Sequence, residues 1–223
     1  MRDHGDTHHL NPGLFYATLL EELVDAAGQV AGLAGGEPFF IAGFSLGGNF
    51  ALRIARALRR RPIANLAHVV AVSPVLNPSS ATDCVDNTLL FKHYFLKKWK
   101  QSLARKQELF PDLYDFSDVL RHNSILEITR KLLARYSTYA GPEAYFREYR
   151  LLGDALLPIA VQTTIVTAQD DPIIPVSDFH DLVLTDRIRL VVHPHGGHNG
   201  FVANYRLSAW YEEGLAAICR SHR

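Results

Sequence analysis

The chain has 223 residues, 48% of them hydrophobic, with 23 Lys+Arg set against 23 Asp+Glu. That length supports one α/β domain with a sizeable core or two small domains, and the balanced charge gives no overall field to draw in nucleic acid. The two cysteines, Cys84 and Cys219, make no disulfide framework and fit a reducing, cytoplasmic setting; no run of about 18 apolar residues marks a membrane span, and the first residues lack a signal-peptide pattern.

Residues 1–12 read as a polar loop. His4, His8 and His9 among Asp3 and Asp6 raise the idea of a metal site, but the spacing fits no recognisable ligand set and no Cys accompanies them. A loop is the preferred reading, and no metal or cofactor is expected. Residues 13–34 follow as an amphipathic helix, with Leu14, Leu20, Leu23, Val24, Ala27 and Ala31 on one face and Gly35-Gly36 ending it.

An apolar strand at about 38–44 then meets Gly43-Phe44-Ser45-Leu46-Gly47, and a helical pattern through Phe50, Ala51, Ile54, Ala57 and Leu58 follows at once. Gly-x-Ser-x-Gly alone is a weak motif. Between a buried strand and an amphipathic helix it becomes a nucleophile elbow, a sharp turn that holds the serine exposed at the strand tip. Gly43 and Gly47 are expected to be glycines because side chains would collide across the turn. The helix runs to about Arg61, where Arg59, Arg60 and Arg61 suit the negative end of its dipole, and Pro62 stops it.

A second buried strand covers 66–73, with His68 read as structural. Residues 82–150 change character: helical, aromatic and mixed in charge, with helices at about 82–108, 118–138 and 142–150. The stretch is too long for a simple crossover and reads as an insertion or cap within a single domain spanning 1–223. Phe91, Tyr94, Phe95 and Trp99 either line an acyl pocket or pack at helical spacing. The crowd of Lys92, Lys97, Lys98, Lys100, Arg105 and Lys106 is most simply a solvated face, with anionic lipid or an acidic partner as the lesser reading. Strands at 161–168 and 188–193 and a final helix at about 201–220 complete the chain.

Serine needs a base to take its proton, and the base needs a carboxylate to orient it. In an open α/β sheet such groups come from loops beyond the C-terminal strand ends. Asp170-Asp171 follows the third strand and His198 the fourth. Asp171 is the preferred orienter, because Pro172 and Pro175 make a rigid loop behind it, with Asp170 as the alternative or as a brace. Among His193, His195 and His198, His198 is preferred, because Gly196 and Gly197 free the loop to carry it over Ser45.

With these residues in place the chain resembles an α/β-hydrolase, specifically the YheT-like branch of esterases. The resemblance rests on Arg2 to Asn11, Gly43 to Asn49, Asp170 to Pro175, Gly196 to Phe201 and Tyr145 to Tyr149. It implies a mostly parallel sheet with helices on both faces, and carboxylic ester hydrolysis with Ser45 as nucleophile, His198 as base and Asp171 as orienter. It also implies the backbone amide of Leu46 as one oxyanion donor, and a small-molecule or lipid ester as the partner. Such hydrolases carry further strands and a second oxyanion donor upstream of the Arg-Asp-His-Gly-like segment, so the sequence reads as an N-terminally shortened hydrolase that keeps the C-terminal half of the sheet. Two other readings follow: a non-catalytic or weakly active fragment acting as a binding module, and an acyltransferase using the same serine.

Overall fold

A computed structural model of the chain describes residues 1–222. It divides into two compact units, Met1–Leu19 with Pro78–Glu148, and Leu20–Asn77 with Tyr149–Arg223.

The second unit carries the sheet. Among the described residues, β1 (Phe39–Phe44), β2 (Leu66–Val72), β3 (Gln162–Ala168) and β4 (Ile188–His193) pair in parallel in that order. Register runs Phe44 to Val72, Val72 to Val166 and Ala168 to His193. The inner strands β2 and β3 are β-branched and apolar, as strands covered on both faces must be. Val70, Val72, Val166 and Ala168 form a core with Phe201, and the intervening Val69, Ala71 and Ile165 are equally buried. Helix α1 (Leu20–Leu33) packs on α2 (Leu46–Ala57), and α2 packs on β1 and β2. The last helix, α7 (Trp210–Ser221), lays Tyr211, Leu215 and Ile218 on the Val70–Val166 core, an i, i+4, i+7 stripe. β1 is an edge strand, and Phe44 remains partly exposed there.

The first unit is helical. Helices α3 (Pro78–Asn87), α4 (Leu89–Leu109), α5 (Ile125–Tyr136) and α6 (Pro142–Tyr149) follow one another, and Leu14, Leu96, Leu103, Phe116, Val119, Ile128 and Leu132 form a core among them. Lys106 of α4 is fully buried. Its Nζ donates to Asp3 Oδ1 at 2.8 Å, Asn11 O at 2.6 Å and His8 O at 3.3 Å.

Several element limits differ from the sequence reading. The helix expected from residue 13 begins at Leu20, because the amides of Phe15 and Ala17 are taken by Asp3 Oδ2 and Tyr145 Oη, each at 2.8 Å. The single helix expected over 82–108 is two, parted at Thr88, which is extended. The helix expected from 118 starts at Ile125. Ser124 caps it by accepting the Glu127 amide, and Asp86 accepts those of Ile125 and Leu126, so the first turn is satisfied only from this position. The final helix starts at Trp210 rather than 201, because Val202 bridges Ala209 and the Asn204 side chain holds the turn between them. Helix α2 ends at Ala57, and Arg61 pairs with Glu21 and Asp25 of α1 rather than answering its own helix dipole.

Candidate active site

All the side chains in question lie in the sheet-bearing unit. Ser45 sits between β1 and α2 with φ +52° and ψ −120°, a left-handed conformation that costs an L-residue energy. The surroundings impose it. Ser45 N donates to Val72 O at 2.9 Å, and its carbonyl accepts from Asn49 N at 3.1 Å and Val75 N at 3.2 Å. A Cβ on Gly43 would overlap the Gly47 carbonyl and approach Gly48 N to 2.8 Å. The second tight glycine is Gly48, where a Cβ would come within 3.0 Å of Pro74. Gly43 is thus crowded as expected, but Gly47, expected to be crowded with it, has open space where its side chain would be.

His198 Nε2 lies 3.0 Å from Ser45 Oγ, and His198 Nδ1 lies 3.0 Å and 3.2 Å from Asp171 Oδ2 and Oδ1. The His198 and Asp171 side chains are almost wholly sequestered from solvent. Asp171 Oδ1 also accepts the amides of Ile173 (2.8 Å) and Ile174 (2.9 Å), which fixes the carboxylate by the Pro172–Pro175 loop. Asp170 turns the other way. Its Oδ1 accepts Gly196 N at 2.8 Å and Gly197 N at 2.9 Å, and Oδ2 lies 3.5 Å from the exposed His195. The amides of Gly197 and then Gly196 hold its carboxyl below the ordinary carboxylate range.

The loop that carries His198 is folded back on itself. The amides of Gly200 (3.1 Å) and Phe201 (2.8 Å) both return to Gly196 O. Gly197 has φ +53°, a conformation suited to glycine, and a Cβ on Gly196 would meet Phe201 at 2.7 Å and Ala168 at 2.9 Å. Each glycine therefore has a separate reason to be there. His193 is placed instead against Trp210, ring centroids 4.1 Å apart, and His195 faces solvent. His68 bonds Thr164 Oγ1 at 3.0 Å within the sheet, as its structural reading expects. In the first unit, His4 Nδ1 contacts Arg2 O at 2.6 Å and His8 Nε2 contacts Ser102 Oγ of α4 at 2.8 Å, so these two rings serve separate bonds.

As the first residue of α2, Leu46 has an amide with no carbonyl to reach in its own helix. It lies beside Ser45 at the positive end of the helix dipole. Asn49 is a site-supporting residue that its chemistry alone did not single out. Fully buried, it donates to Val75 O at 2.8 Å and Tyr149 O at 2.7 Å, tying the α2 start to two distant chain segments. The only signal for it was its place at the end of the Gly43–Asn49 match.

The constellation can do acyl chemistry. A hydroxyl on a strained turn meets an imidazole, and the imidazole's other nitrogen meets a buried carboxylate, in the chain order Ser, Asp, His. An open groove of about 390 Å³ in the same unit, lined by Val24, Asp25, Gly28, Gln29, Arg61, Pro62 and Ile63, contains none of these three groups and is not the reaction site.

Comparison with known proteins agrees with this fold. Protein abhd-3.2 of Caenorhabditis elegans is 25% identical over 165 residues, 72% of this chain and 43% of that protein. Phospholipase ABHD3 of Mus musculus is 23% identical over 196 residues, 86% of this chain and 47% of that protein. The chain thus spans about half the length of the curated relatives it matches. Among solved structures, a serine hydrolase from the bacterium Cycloclasticus zankles superposes with a TM-score of 0.54 at 18% identity, covering 99% of this chain and 75% of the other. A variant of the meta-cleavage product hydrolase CumD, an enzyme of Pseudomonas fluorescens, gives 0.56 at 14% identity, covering 99% and 78%. A family model described as the alpha/beta hydrolase family matches residues 1–209, and the chain belongs to that family.

Proposed function

We propose that the chain is a serine-dependent carboxylic ester hydrolase, of the YheT-like branch, that works through an acyl-enzyme. The observation that carries this reading is the pair of contacts made by one imidazole: 3.0 Å to Ser45 Oγ and 3.0 Å to Asp171 Oδ2. His198 Nε2 takes the Ser45 proton as Oγ attacks the acyl carbon, and Asp171 stabilises the imidazolium through Nδ1–H. The Leu46 amide donates to the carbonyl oxygen as it becomes an oxyanion. The tetrahedral species collapses as His198 returns its proton to the leaving alkoxide, and the alcohol departs. Water, deprotonated by the same imidazole, then cleaves the acyl-serine. On this reading the helical unit is a cap, and the two cysteines, Cys84 and Cys219, far apart in sequence, suit the cytoplasm. The mouse relative's name, a phospholipase, favours acyl esters of lipids among the substrates.

The test is labelling with a fluorophosphonate, which captures an activated serine. Wild-type protein should be labelled at Ser45, Ser45→Ala should not, and His198→Ala should react at least 10³ times more slowly. A folded wild-type protein that stays unlabelled would sink the proposal. Labelled protein that turns over p-nitrophenyl acetate only when an alcohol is added would make it an acyltransferase.

A further inference from the structure

Helix α4 opens with side chains that the helical core does not cover. Leu89 is 84% exposed, Leu90 76% and Tyr94 54%. Leu90, Tyr94, Lys97 and Gln101 follow one another at i, i+4, i+7 and i+11, one outward stripe of the helix, opposite Leu96 and Leu103, which enter the core. Phe91 and Phe95, half-buried and stacked at 6.4 Å, flank the stripe, and Tyr94 meets the edge of Phe95 at 5.5 Å. Adjacent exposed leucines beside a tyrosine at a helix tip are costly in water and mark a contact surface.

Ahead of Glu108, the charge that α4 itself carries has one sign. Between Asp86 and Glu108 the sequence holds Lys92, Lys97, Lys98, Lys100, Arg105 and Lys106 and no Asp or Glu. Lys106 is buried on Asp3. Lys92 approaches Asp86 at 3.9 Å, and Lys100 donates to Asn123. Lys97 and Lys98 are exposed, and among the described residues no ion pair engages either. They lie about 10 Å along the helix axis from Leu90, at 1.5 Å per residue. An apolar tip with cations about two turns behind it matches the profile of a lipid interface, where apolar groups sink about 5–10 Å to the acyl boundary and lysines stay level with the phosphates. The sequence alone leaves these lysines as a solvated face; the exposed leucines and tyrosine beside them change that assignment.

We propose that the start of α4 docks on an anionic phospholipid surface, with Leu89, Leu90 and Tyr94 inserted and Lys97 and Lys98 on the phosphates. This deepens the ester-hydrolase reading, and rests on it, in naming the substrates as acyl esters presented at such a surface. The docking itself does not depend on catalysis.

The test floats the full chain carrying Ser45→Ala with vesicles of phosphatidylcholine alone, and of phosphatidylcholine with one-third phosphatidylglycerol. The protein should rise with the anionic vesicles and not with the neutral ones. Each basic side chain near an anionic surface is worth about fivefold in partitioning, so Lys97→Gln with Lys98→Gln should lower it roughly 25-fold. Leu89→Gln with Leu90→Gln should abolish flotation. These four positions are exposed, so circular dichroism should be unchanged in both variants. On the wild-type Ser45 background, both should hydrolyse a soluble short-chain ester at the normal rate. Flotation that ignores lipid charge, flotation that survives both substitutions, or no flotation at all would overturn the docking. So would self-association that the leucine substitutions abolish without any vesicle binding. Flotation of a protein whose wild type hydrolyses no ester would leave docking standing and remove the hydrolase reading instead.

Discussion

Asp170 and Asp171 hold two parts of one loop: Asp171 grips the His198 ring at 3.0 Å, while Asp170 accepts the amides of the two residues before it, Gly196 and Gly197. The neighbours therefore have separable effects. Asp171→Asn keeps the shape but presents an amide to Nδ1, and on the proposed hydrolase reading should lower kcat about 10⁴-fold. Asp170→Asn keeps an acceptor for the two glycine amides and should stay within a few-fold of wild type. Asp170→Ala removes the acceptor and should lower kcat about tenfold with KM unchanged, since it displaces His198, the proposed base, without touching the substrate. Steady-state kinetics of the three variants on a soluble ester check this. Equal losses at Asp170→Asn and Asp171→Asn would refute the division of labour.

Acid should release the Asp170 grip before it unfolds the molecule. The folded-state carboxyl lies below its ordinary value of 3.8 because the Gly197 and Gly196 amides favour the charged form. A depressed acid contributes stability that is complete above the unfolded value and is lost as pH falls through 3.8 toward the folded value. Wild type should thus melt above Asp170→Ala at pH 6, and the gap should be smaller at pH 3. Melting curves at the two pH values test the sign; a gap that widens in acid would contradict it.

The meeting of the three candidate side chains was legible in the sequence because each follows a strand, and strand ends in a parallel sheet open on one crevice. Ser45, Asp171 and His198 needed only the order of elements, not their limits. What the sequence hid was set by partners distant along the chain. Nothing in residues 13–19 announces that Asp3 and Tyr145 take their amides. Nothing in 82–108 says that Asp86 turns aside to cap a helix nearly 40 residues later. Of the two elbow glycines the sequence singles out, Gly43 is crowded as expected and Gly47 is not, for a related reason: spacing identifies a tight turn, but only the positions of the Gly47 carbonyl and Pro74 show which Cα faces the crowded side.

That difference gives a sharp stability contrast. Gly43→Ala drives a methyl into the Gly47 carbonyl, and backbone cannot swing away as a flexible side chain can. The cost should be about 3 kcal/mol or more, at the upper end of overpacking, together with loss of fluorophosphonate labelling as Ser45 moves. Gly48→Ala, against Pro74 at 3.0 Å, should cost about 1 kcal/mol. Gly47→Ala enters open space within α2 and should be neutral or stabilising by up to about 1 kcal/mol through helix propensity. Urea unfolding of the three variants decides the order, and a Gly47→Ala protein as unstable as Gly43→Ala would contradict the geometry.

The Lys106–Asp3 pair gives the strongest stability prediction for the helical unit. Lys106 is 1% exposed, and its ammonium is held by one carboxylate and two backbone carbonyls. Asp3 in turn sits at φ +56°, and its other oxygen takes the Phe15 amide, so the pair fastens residues 3–15 to α4. Asp3→Ala strands a buried cation and should cost about 3–5 kcal/mol. Lys106→Met removes the charge but leaves two buried carbonyls and the Asp3 carboxylate short of a donor, and should cost a similar amount. The double variant should be less destabilised than the sum of the singles, because the second change removes a charge already orphaned by the first. A double-mutant cycle by urea unfolding measures the coupling, and additivity within about 0.5 kcal/mol would show that the two charges do not depend on each other.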